Sequence, residues 1–263
     1  MNRISKFVIV FIFGFVLGPA SGLTQPDIPI NPDLKSNCES WKIKVKQNGI
    51  WGKKPAMISF GQLKTISTET EKSGQSSKQV DRELFWKNIR TVNSSESSMA
   101  LELNGTDTAT ISMLTVKEEI TKEKNVAGTL THVNRDDEEL YHVSSWIDEM
   151  ILQFQNDSTS WHYSKWETGS TFGVLEKIQD TSVKVFLLKV NNLEGKKMKE
   201  MMFSQPALGF VFEYQGKQVA AFQTLMKQMI WVSNGLDPLL RKAILATAAA
   251  VMATVKSGGS NGF

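Results

Sequence analysis

Trp41, Ile43 and Val45 alternate with Lys42, Lys44 and Lys46 in the stretch "SWKIKVKQNG". A period of two gives a strand one dry face and one wet face. The stretch therefore predicts a half-buried strand that ends at the Gln47-Asn48-Gly49 turn. The same grammar recurs in "AMISFGQLKTIST", "ELFWKNIRTV", "MALEL", "TDTATISMLTV", "YHVSSWI", "MILQFQN", "SWHYSKW", "TFGVLEKI" and "SVKVFLLKV", short runs rich in β-branched and aromatic residues. Asn104-Gly105 joins two of these runs and is the preferred pair for a tight turn with positive φ at both centres. Gln215-Gly216 pivots a further hairpin, "LGFVFEY-QG-KQVAAFQTL", and "QMIWV" follows it. Three polar stretches lack either period. "ETEKSGQSSKQ" (69–79) predicts a mobile loop, "KEEITKEKN" (117–125) a helical turn or protruding loop, and "DDEEL" (136–140) a surface corner.

One segment has a different period. "DPLLRKAILATAAAVMATV", Asp237 to Val255, predicts a helix with Asp237 as N-cap and Pro238 at the first helical position, where the missing N–H costs nothing. Lys256 falls in the last turn and Gly258-Gly259 supplies the stop. Past Lys242 its only polar residues up to Val255 are Thr247 and Thr254. A helix that is apolar all round belongs in a core or a membrane, and thirteen such residues are too few to cross a bilayer, which needs about 20. The helix is therefore read as buried. With about twelve extended segments around it, the expected architecture is a mainly β fold: a closed antiparallel barrel of about twelve strands around a buried hydrophobic C-terminal helix. The alanines at 243, 246, 248, 249, 250 and 253 thin the helix enough to thread such a lumen.

The stretch "GFVFEYQGKQVAAFQTLMKQMIWVSNGLDPLLRKAILATAAAVMA", Gly209 to Ala253, resembles in pattern the tubby-like superfamily, which includes the tubby C-terminal domain, the phospholipid scramblases and the LURP-one-related proteins. The similar features are a late hairpin, one further strand and the dry helix. The resemblance implies a barrel around a central helix and contact with phosphoinositides or membrane lipids. No lipid-binding motif of the superfamily aligns, so it carries over no site residue.

The chain has 263 residues. Its first segment, "MNRISKFVIVFIFGFVLGPASG", has a basic start (Arg3, Lys6), an apolar stretch (Phe7 to Gly18) and small residues for cleavage, the three parts of a secretory signal peptide. The expected organisation is a signal peptide over 1–22, a Pro-containing leader over 23–38, one barrel domain over 39–256 with its helix at 238–256, and a tail over 257–263. This predicts a secreted, periplasmic or extracellular protein; retention as an anchor is the other reading of the first segment. It also sets the chain apart from the familiar tubby-like members, which work on the cytoplasmic side.

The chain has 30 basic and 27 acidic residues. That balance is too even to create the field that draws nucleic acid, so no nucleic-acid partner is expected. Cys38 is the single cysteine and cannot bridge within the chain. Glycosylation sequons stand at Asn93, Asn104 and Asn156.

Candidate chemistry is sparse. "GGSNG" (258–262) fits a nucleophile pattern, but Ser260 follows the last helix and lacks the strand-to-helix turn that exposes such a serine. His132, His142 and His162, with Asp136, show no metal-ligand spacing. No Gly-rich phosphate loop is present, and no cofactor, metal or catalytic residue is expected. Trp161, Tyr163 and Trp166 read either as a ligand platform or as core and cross-strand pairs. Lys42, Lys44 and Lys46 form a basic row on one strand face, and Lys196, Lys197 and Lys199 a second cluster. Both read either as a solvated outer face or as contacts to an anionic surface. The expectation is an exported, non-enzymatic barrel that binds lipid or a membrane surface. The alternative is a structural or partner-binding envelope protein without a small ligand.

Overall fold

A computed structural model describes residues 28–46, 56–70, 75–82, 86–124, 138–157, 159–191, 207–225 and 227–258. The expected signal peptide, Ser260 and the basic cluster at 196–199 lie outside the described residues. A short helix, α1 (Pro32–Ser36), precedes fourteen strands. They are β1 (Cys38–Lys42), β2 (Lys44–Lys46), β3 (Met57–Phe60), β4 (Leu63–Thr70), β5 (Ser76–Arg82), β6 (Trp86–Leu103), β7 (Asp107–Lys124), β8 (Glu138–Phe154), β9 (Ser160–Thr168), β10 (Thr171–Lys177), β11 (Asp180–Val190), β12 (Gly209–Tyr214), β13 (Lys217–Gln223) and β14 (Met229–Ser233). Helix α2 (Pro238–Gly258) ends the described chain.

All fourteen strands belong to one antiparallel sheet ordered β1-β14-β13-β12-β11-β10-β9-β8-β7-β6-β4-β3-β2, with β5 attached to β6. The two ends of that path are consecutive pieces of chain. β1 pairs with β14 (Cys38↔Ser233 to Lys42↔Met229) and β2 with β3 (Lys44↔Ser59 to Lys46↔Met57). Between them stands only Ile43, whose N–H donates to the Gln228 carbonyl at 2.8 Å. The run from Cys38 to Lys46 thus acts as one staggered strand that closes the sheet into a barrel. With β1 and β2 counted as that one strand, and β5 off the path, the wall has the twelve strands expected.

Helix α2 fills the barrel. Ala243, Ile244, Ala246 and all residues from Thr247 to Thr254 are buried, so no flank of its middle meets water. Asp237 is the N-cap: its Oδ1 accepts from Leu239 N–H at 3.0 Å and Leu240 N–H at 3.1 Å. Thr247 and Thr254 satisfy their hydroxyls within the helix by donating to the Ala243 and Ala250 carbonyls. The helix runs closest to β8, then to β3, β7 and β6. Trp161, Tyr163, Phe210, Phe212 and Phe222 belong to the same interior core from β9, β12 and β13. Small helix residues and large wall residues thereby share one core.

The helix is fastened where it enters the barrel. Arg241 Nη2 lies 3.0 Å from Glu39 Oε1, and its guanidinium sits over the Trp41 ring at 5.6 Å. Lys242 Nζ lies 2.5 Å from Asp107 Oδ2 and 3.5 Å from Asp157 Oδ2. Two adjacent cations therefore grip different parts of the wall.

The segment before β1 is packed against the outside of the wall. Ile28 and Leu34 join Val190, Leu208, Val211, Ala221 and Trp231 in a second apolar cluster, with Cys38 at its edge. Asn31 N–H donates to Gln218 Oε1 at 2.8 Å, which ties α1 to β13. This cover explains why β12 to β14 are apolar on both faces. Burial raises the Cys38 thiol pKa, so the thiol stays protonated and unreactive near neutral pH.

Both predicted tight turns are present, with φ of 56° and 69° at Asn104 and Gly105 and 51° and 73° at Gln215 and Gly216. All three polar stretches differ from expectation, and Glu138 to Leu140 of the expected corner begin β8, paired with β7. Residues 117–124 are neither helical nor a loop but the outer end of β7, paired throughout with β6 and, up to Glu123, with β8. The stretch 69–79 is likewise not one loop: Glu69 and Thr70 end β4, and Ser76 to Gln79 belong to β5. β6 and β7 remain paired for 18 residues, from Leu103↔Asp107 to Trp86↔Lys124, so β5 to β8 form a sheet that outruns the barrel wall. Consecutive charges from Lys117 to Glu119 fall on both faces of the strand, so the stretch carries no period-two signal.

Candidate functional site

The predicted basic row lies on the outer wall at the closing strand. Lys42, Lys44 and Lys46 are exposed, whereas Ile43 between them is buried and Val45 is half-buried. At about 3.3 Å per residue the row spans roughly 13 Å. Among the described residues none of the three has an ion-pair partner.

Cross-strand register widens this row into a surface. Lys44 faces Ser59, Ser59 faces Lys64 of β4, and Lys46 faces Met57. Lys64 lies 3.9 Å from Glu102 Oε2, both side chains being well exposed, so that pair is weak. Two residues beyond Lys64 stands Ile66, 47% exposed. Its position has a local cause. Thr65 Oγ1 accepts from Ile58 N–H at 2.9 Å and donates to the Ile58 carbonyl at 3.0 Å. The pairing of β4 with β6 slips between Thr65 and Ser67, so Ile66 and Ser67 both stand on the outer side at this bulge. An exposed aliphatic side chain thus shares the outer face with Lys64 and, across β3, with Lys44 and Lys46. Neither Lys64 nor Ile66 is in the predicted site, although period-two alternation in "LKTI" already puts both on the wet face.

No family model, no curated protein and no solved structure matches this chain.

The remaining sequence candidates separate. Trp161 and Tyr163 are core residues, whereas Trp166 is 56% exposed and donates its indole N–H to Thr168 Oγ1 at 2.9 Å. The three therefore form no common platform. His162 is half-buried opposite Ile151 and Glu176. The His142 side chain, His132 and Asp136 lie outside the described residues, as do Lys196, Lys197 and Lys199. Among the described residues no three metal-ligating side chains come together.

Proposed function

We propose that this protein is an exported, non-enzymatic barrel that docks on an anionic lipid surface through Lys42, Lys44, Lys46 and Lys64, with Ile66 entering the interface. The observation that carries this reading is the row of exposed lysines without counter-ions beside an exposed isoleucine. Each basic residue near an anionic membrane contributes about 1 kcal/mol, so four give an attachment of useful strength that salt weakens. The helix-filled barrel supports the tubby-like resemblance, whose members contact membrane lipids. Placing the chain there as an exported variant is part of the same proposal.

The test is sedimentation with vesicles containing anionic lipid, at low and high salt. Binding at low salt, lost at high salt and in Lys42→Glu/Lys44→Glu/Lys46→Glu, is expected. Equal pelleting of that variant and the parent would overturn the reading.

A second reading is favoured by the long ribbon. Among the described residues β5 pairs with β6 alone, and an unpaired strand edge can accept a strand from a partner. A protein that pellets with no vesicle but retains one partner through β5 would be a partner-binding envelope protein instead.

A further inference from the structure

At the end of the barrel where α2 enters, a cleft of about 530 Å³ opens between the β10–β11 hairpin, the β12–β13 hairpin and the start of the helix. That volume lies within the range of small-ligand sites, about 300–1,000 Å³. Its apolar lining comes from Val183, Val219, Leu236, Leu239 and Leu240. Two lysines, Lys177 and Lys217, stand at its rim.

Register fixes where those lysines face. Lys177 is the cross-strand partner of Trp161, and Lys217 of Tyr214. Cross-strand partners share a face of the sheet. Trp161 belongs to the interior core and Tyr214 packs against it, so both lysines rise from the lumen side of the wall. Neither has an ion-pair partner among the described residues. The carboxylate that also lines the cleft, Asp237, is already taken by the N–H groups of Leu239 and Leu240. Asp180, across from Lys177, is held by the Ser182 N–H at 3.1 Å and hydroxyl at 2.6 Å. Both carboxylates keep their charge and Asp180 attracts Lys177; among the described residues no ion pair engages Lys217.

Trp161 is 1% exposed, and its indole N–H has no acceptor among the described residues. Trp161 itself lines the cleft, so an acceptor seated beside Lys177 lies next to a donor that no group among the described residues satisfies. The cleft thus combines an aliphatic floor, two inward cations and an orphaned donor next to one of them.

We infer that this mouth cleft binds a free single-chain amphiphile with a carboxylate head, of the fatty-acid class. Its carboxylate lies between Lys177, Lys217 and the Trp161 N–H, and its chain covers Val183, Val219, Leu236 and Leu239. This site is separate from the outer lysine row and does not rest on the docking of that row.

The test is calorimetric titration of the purified protein with sodium decanoate below its micelle concentration, with decanol and decyltrimethylammonium as neutral and cationic probes. Saturable one-to-one binding of decanoate is expected, at least tenfold weaker for decanol and undetectable for the cation. Lys177→Glu/Lys217→Glu should weaken decanoate at least tenfold, and Trp161→Phe severalfold. Leu239→Gln, at a half-exposed floor position, tests the chain end independently should Trp161→Phe fold poorly. Lys42→Glu/Lys44→Glu/Lys46→Glu should leave the titration unchanged. Non-saturable uptake, equal binding of all three probes, or loss of decanoate only in the outer-row variant would overturn the inference.

Discussion

Lys242 Nζ and Asp107 Oδ2 stand 2.5 Å apart, joining the first turn of the interior helix to the first residue of β7. The Asp107 side chain is 5% exposed and its other oxygen has no partner among the described residues. Removing the lysine therefore strands a carboxylate in the wall. Breaking such a buried pair costs about 3–5 kcal/mol, so Lys242→Met should lower unfolding stability by that amount in urea titration. Lys242→Met/Asp107→Asn should cost less than the sum of the two single changes. Strict additivity would show that the two side chains do not interact.

The same pair makes a statement about pH. The Asp107 hydrogen bond, outweighing desolvation, raises the Lys242 amine above its ordinary value of 10.5. A group raised on folding contributes in full below its unfolded value and loses that contribution as pH climbs through the folded one. The stability gap between the protein and Lys242→Met should hold steady up to about pH 10.5 and shrink above it.

Lys256 should behave in the opposite sense. Burial lowers its amine below 10.5, so near neutral pH the folded state carries a charge it disfavours. Lys256→Met should raise the melting temperature at pH 7 by a few degrees at most, since the amine keeps part of its hydration. The difference should fade as pH rises from the depressed value toward 10.5. A lower melting temperature for this variant at pH 7 would show that the amine has a stabilising partner.

The packing of the helix can be probed at Ala250, which is wholly buried. Ala250→Leu inserts three carbons into a filled lumen, and overpacking of this kind costs about 1–3 kcal/mol. On a solvent-facing helix side the same change would be nearly neutral. Thermal unfolding separates the two results.

Gly173 tests the opposite wall. A methyl group there would overlap the Tyr163 ring, which lies across the bare backbone of β10. Gly173→Ala should destabilise by about 1–3 kcal/mol, and pairing it with Tyr163→Leu should recover part of that loss. No recovery in the double variant would place the strain in the backbone instead.

Much of this fold was legible because local physics fixes it. The dry run after Lys242, the Asp237 cap and the two positive-φ turns each depend on neighbours within a few residues, and each is present. The extension of β7 to Lys124 was not legible, because consecutive lysine and glutamate residues put charge on both faces of the strand and leave no periodic trace. The closure through Ile43 was also hidden, since pairing Cys38 with Ser233 depends on chain far removed in sequence. The outer cover had a partial signal. Val211, Ala221 and Trp231 sit in runs that are apolar at every position, the mark of strands buried on both faces. For the site, the lysine row was readable from alternation, whereas the inward aim of Lys177 and Lys217 follows only from their partners Trp161 and Tyr214.

The innermost element of this molecule follows every wall strand in the sequence. A chain made in order must therefore hold its cylinder open until α2 arrives, and the Cys38–Lys46 seam is the natural last door to shut. Contacts that join such distant segments slow folding. A polypeptide delayed in this way leaves the apolar faces of its wall and helix exposed for longer before the final shape is locked.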